Sequence, residues 1–226
     1  MNVILIILGI IIFAVLILLN VKLVFTKEDK RKKYLQSLGE FLETKVEPLE
    51  GLENSYHLRF AYQGTQFSYE DIEDRLKNSC VYKVYLKAMT ASKFKIDFTE
   101  KERTTIRANV QNLNDIKTPW ARDAEKILLP HELQDFTVFS NDNKKANKLF
   151  AKERIAKIFT RFKNMTNLGH PYQSLAVMDG MVILTFHPPG GLKPGWGDFQ
   201  DNASRIEEYL EELNVLVAAI NALEER

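Results

Sequence analysis

Between His187 and Asp198 the chain reads His-Pro-Pro-Gly-Gly-Leu-Lys-Pro-Gly-Trp-Gly-Asp. So many glycines and prolines exclude helix and strand and leave a loop. Loops of this kind often cover binding sites, and an isolated Trp196 beside Lys193 has the surface and charge to anchor a protein partner. The plainer reading is a connector whose Trp196 packs back onto its own domain.

A second feature is basic. Residues 142–163 hold eight Lys or Arg against two acids, so the excess is local rather than a property of the chain. On a helix, Ala151, Ile155, Ile158 and Phe162 form an apolar stripe. Lys152 and Lys163 flank one side of it, and Arg154, Lys157 and Arg161 the other. That arrangement suits a helix lying on an anionic leaflet, with these five residues facing lipid. It equally suits a stripe buried in the core with the long stems lying beside it. Nucleic acid is not an expected partner, because no aromatic platform interleaves the charge and the whole chain is nearly neutral, at +1.

The sequence contains no phosphate-cradling Gly-x-x-x-x-Gly-Lys-Ser/Thr, no dinucleotide Gly-x-Gly-x-x-Gly and no Gly-x-Ser-x-Gly nucleophile elbow. One Cys and four scattered His lack the spacing of a zinc site. Cys80 reads as a small hydrophobe, and His57, His131, His170 and His187 as structural or surface residues. No catalytic residue, cofactor or metal is therefore expected.

The elements that would position these features begin with an anchor. The run that opens at Val3 and closes at Phe25 is apolar except for Asn20 and Lys22, and about 20 such residues suffice to cross a bilayer as a helix. No cleavage site follows it, so it reads as retained. Lys22, Lys27, Lys30, Arg31, Lys32 and Lys33 all lie on its C-terminal side. By the positive-inside rule, the expectation is a single-pass membrane protein in contact with lipid through that run, its N-terminus outside and its remaining domain cytosolic.

Residues 27–50 read as a juxtamembrane amphipathic helix, with Tyr34, Leu35, Leu38, Phe41, Leu42 and Val46 at helical spacing and a stop at Pro48 and Gly51. Strands are expected over residues 55–62, 65–69, 81–89, 93–99, 104–110 and 136–139. A short helix is expected near residues 120–128, and a longer one over 143–163, capped from Ser140, Asn141 and Asp142. Two apolar runs, 174–178 and 181–186, meet at Asp179-Gly180, a favoured hairpin turn. A helix over 201–223 closes the chain. Ile206, Leu210, Leu213, Val217 and Ile220 give it a seam that either covers the sheet or pairs with a second copy as a homodimer.

This order predicts an α+β fold: an N-terminal transmembrane helix, then a mostly antiparallel sheet with helices packed on one face. The expected division is an anchor at 1–26, the juxtamembrane helix at 27–50, an α+β domain at 51–200 and the final helix at 201–226. With Phe136-Thr137-Val138-Phe139-Ser140-Asn141-Asp142, the helix after it and the Asp179-Gly180 hairpin, the chain resembles a family of uncharacterised bacterial membrane-anchored proteins over about residues 55–187. The resemblance implies a membrane-associated module and supplies no catalytic residue. The functional expectation is a non-enzymatic, membrane-tethered cytosolic module that binds a protein partner or organises an assembly. The alternative is a membrane-bound enzyme, a hydrolase, with residues 187–198 as its lid.

Overall fold

A computed structural model describes residues 12–16, 28–76, 79–100, 127–134, 136–166, 174–186 and 199–224. The chain divides into two compact units, residues 1–46 with 188–204, and residues 47–187 with 205–226.

In the first unit, residues 28–41 form helix α1, which buries Tyr34, Leu35 and Leu38. The ring of Tyr34 meets Phe199 edge-on at 5.5 Å, and Phe41 lies at the same distance from Phe199. The helix ends well before Pro48, where the sequence had placed its stop. The amide of Thr44 donates to the Gly39 carbonyl and that of Glu43 to the Glu40 carbonyl, with Glu43 in the left-handed region at φ 52°. This is a Schellman closure with glutamate where glycine is usual.

The expected membrane anchor is overturned. Among the described residues no helix is long and apolar enough to cross a membrane. Of the run from Val3 to Phe25, residues 12–16 alone are described, as helix, and the rest lies outside the described residues. Arg31, counted among the flanking charges, is wholly buried and 3.8 Å from Glu28. The single-pass location with a cytosolic domain, which rested on that anchor, is withdrawn with it.

The second unit is built on an eight-stranded sheet. Its strands are β1 (Glu47–Pro48), β2 (Tyr56–Tyr62), β3 (Thr65–Leu76), β4 (Ser79–Met89), β5 (Ile96–Glu100), β6 (Phe136–Ser140), β7 (Ser174–Met178) and β8 (Met181–Phe186). They lie in the order β1-β2-β3-β4-β8-β7-β5-β6, and every pairing is antiparallel. Register explains the core. Phe60 pairs with Phe67, Phe67 with Ala88, Ala88 with Val182, Val182 with Val177, and Val177 with Ile96. Directly paired residues share a face, and all six are buried. A parallel row runs from Leu58 through Tyr69, Leu86 and Leu184 to Leu175, also buried. The alternating strand pattern of the sequence thus becomes one continuous apolar face.

Two tight turns join neighbouring strands, β2 to β3 and β7 to β8. Gln63-Gly64 and Asp179-Gly180 have positive φ at both positions, as the tight hairpin turn requires. At Gly180 a Cβ would also stand 3.3 Å from the Thr90 carbonyl oxygen, so the tight approach adds to the backbone strain a side chain would meet there.

The expected helix over 143–163 is two helices, α2 (Asn143–Phe150) and α3 (Glu153–Thr166). Asp142 caps α2 as anticipated, one carboxylate oxygen accepting from the amides of Lys144 and Lys145 at 3.0 Å. The break falls at Ala151 and Lys152, where the Lys152 amide donates to the Leu149 carbonyl in a tightened turn. The last helix, α4, spans Gln200–Asn221. Asn214 bonds Gln63 and Thr65 at the β2–β3 turn, and Asn221 bonds Thr90 and the Ala91 amide just beyond β4. Two helical turns apart, these asparagines share a face of α4 and pin it to the sheet. Ile206, Leu210, Leu213, Val217 and Ile220 are already buried within the single chain.

Candidate functional site

Helices α3 and α4 line opposite sides of a half-open groove of about 940 Å³ in the second unit. On the α3 side, Ile155, Ile158 and Phe159 are buried, which points the apolar stripe into the core and turns the basic residues outward. Arg154, Lys157 and Arg161 line that wall. On the α4 side, Glu208, Glu211, Glu212 and Val215 line the groove at helical spacing. Phe150, Ala156 and Ile158 contribute its apolar floor.

The charges are wired together. Lys157 pairs with Glu153 one turn before it at 2.6 Å, which holds the Glu153 carboxyl below and the Lys157 ammonium above their usual ranges. Arg161 crosses the groove. It donates to Glu212 Oε1 and lies 3.4 Å from Glu208. Burial pushes the Glu212 carboxyl up despite that hydrogen bond, with help from Glu208 and Glu211. Its side chain is 16% exposed, and its second oxygen is buried with no hydrogen-bond partner among the described residues. Next to it, burial raises the Tyr209 hydroxyl to about 12.

The residues singled out from sequence fare differently. Lys193 and Trp196 lie outside the described residues, as does the rest of the 187–198 loop. Lys152 is exposed in the turn between α2 and α3. Arg154, Lys157 and Arg161 come together along the groove. Lys163 falls within α3, and its side chain lies outside the described residues. On sequence alone, the α4 acids Glu207, Glu208, Glu211 and Glu212 suit the positive N-terminus of a helix. With α4 starting at Gln200, residues 207–212 lie two turns and more inside it, beyond the dipole's reach. That displacement was the available signal that they answer a facing cation. Among the described residues no group of three or more His, Cys, Asp or Glu could hold a metal ion.

No protein-family model, no curated protein and no solved structure matches the chain.

Proposed function

We propose that the chain is a non-enzymatic module that binds a protein partner, seating it in the groove between α3 and α4. The observation that carries this reading is the groove itself: a half-open trough between two helices, with an apolar floor and charged rims, is a shape that accepts a segment of another protein. Small-molecule sites of that volume are usually more enclosed and more apolar in their lining.

One observation favours the enzymatic alternative. A carboxyl lifted by burial inside a cleft is what a general acid requires, and Glu212 is such a group. Its hydrogen-bond partner, however, is Arg161, which holds its proton at every pH where proteins work. A hydrolase would need a second group able to exchange a proton there, and the binding reading needs none.

The test is site-specific photocrosslinking in cells. A photoreactive residue at Ala151 should trap one discrete protein, and a Val215→Lys substitution across the groove should abolish the adduct. The same probe at Ser68, on the sheet face away from the buried rows, should leave that protein untouched. Indiscriminate labelling from both positions, or none from Ala151, would remove the groove from consideration.

A further inference from the structure

Resting on that reading, we infer that the occupant of the groove is an amphipathic helix with a basic rim, one of whose Lys or Arg side chains reaches the buried oxygen of Glu212. Charge is the first argument. The groove is lined by five carboxylates, Glu132, Glu153, Glu208, Glu211 and Glu212, against the three cations Arg154, Lys157 and Arg161. Two of those cations are already engaged within the chain, Lys157 by Glu153 and Arg161 by Glu208 and Glu212. The same pairs engage Glu153, Glu208 and Glu212, and the lining keeps an excess of carboxylates over cations, which favours a partner carrying positive charge.

The second argument is geometric. Arg161 satisfies one oxygen of Glu212 and leaves the other buried and without a hydrogen-bond partner among the described residues. A buried acceptor left so is costly, and a charged donor supplied from outside recovers that cost. Shape gives the third argument. Glu208, Glu211, Glu212 and Val215 repeat along one face of α4 and line the groove with α3 over about two turns. A third helix laid along the trough would set apolar residues on Ala156 and Val215 while presenting cations to the acidic rim, the usual arrangement of a helix in a groove.

Three short labelled peptides of identical helical spacing separate these elements: Leu/Lys, Leu/Gln and Leu/Glu. Each is titrated with the full chain by fluorescence anisotropy. The Leu/Lys peptide is expected to bind about tenfold more tightly than Leu/Gln, with Leu/Glu weakest. Glu212→Gln should erase most of the advantage of Leu/Lys over Leu/Gln. Ala151→Lys, at an exposed groove position that tolerates substitution, should weaken the Leu/Lys peptide; circular dichroism of both variants verifies that they fold. Equal binding of Leu/Lys and Leu/Gln, with both weakened by Val215→Lys, overturns the basic occupant and keeps the groove as a docking site. Binding that neither Val215→Lys nor Ala151→Lys alters overturns both the occupant and the groove.

Discussion

Glu212 stands among three exposed acids of α4, Glu207, Glu208 and Glu211, yet its own carboxyl is mostly removed from water. In the unfolded chain it would titrate near its ordinary value, and folding raises it. Between those two values the native state keeps a proton that the unfolded chain has lost. Stability should therefore fall as pH rises through that window and stay lower above it. Glutamine imitates the protonated acid, so Glu212→Gln should flatten that descent and leave the protein at least as stable as the parent at neutral pH. Urea denaturation across the carboxylate range measures it. A variant with the parental slope, or one clearly less stable at neutral pH, would show that the Arg161 bond outweighs burial. The sequence alone gave no access to this: Glu212 is one of four glutamates in six residues, and only the approach of Arg161 from a helix fifty residues earlier distinguishes it.

At the scale of elements, the sequence was legible wherever local chemistry decides conformation. The 174–178 and 181–186 strands appear within the bounds read from sequence, because Asp179-Gly180 leaves the turn no alternative. The start of α2 was equally legible from Asp142. Elements whose ends depend on tertiary contacts were not. Ala151 and Lys152 are good helix formers with no breaker beside them, yet α2 ends there. The end of α1 was missed for a related reason: Glu43 occupies a left-handed position that side chains other than glycine and asparagine rarely take. That exception is testable. Glu43→Gly relieves the strain while keeping the two closing hydrogen bonds, and should raise stability by about 1 kcal/mol despite the greater freedom of glycine in the unfolded chain. A higher melting temperature with unchanged helix content is the expected result. A lower one would mean that the Glu43 side chain contributes more than its backbone costs. The groove itself was half legible. Its basic wall was visible as a charged flank of α3, but its acidic wall required knowing that α4 lies opposite.

For the second unit as a whole, sequence order and sheet order diverge at one place. From β1 to β4 each strand pairs with the next in sequence, as a chain of hairpins would. Then β4 pairs with β8, Val84 standing opposite Phe186 about a hundred residues later, and β5 slots between β7 and β6. No local pattern announces either join. The α+β class and antiparallel sheet were predictable from element types, but the neighbours of β4, β5 and β6 were not. The first four strands can form from nearby contacts alone, whereas closing the sheet across β4 and β8 must wait for the whole chain.

On the ribosome that wait has a duration. At roughly 5–20 residues per second, the stretch between β4 and β8 takes about 5–20 s to emerge. Throughout that time the nascent hairpins carry an open edge along β4, a template for any other strand in reach. Lys83 and Lys87 stand four residues apart on the half-buried face of that strand, on either side of Tyr85, and Lys87 holds Glu70 of the neighbouring β3 at 2.6 Å. During synthesis, two cations on a bare edge repel its duplicate on the next ribosome along the message, a gatekeeper's task. Replacing both with valine should lower the soluble fraction from cell-free translation, while protein refolded from urea at high dilution keeps a midpoint close to the parent's. Equal soluble yields would instead leave the edge guarded by something other than charge, such as the speed with which a chaperone meets it.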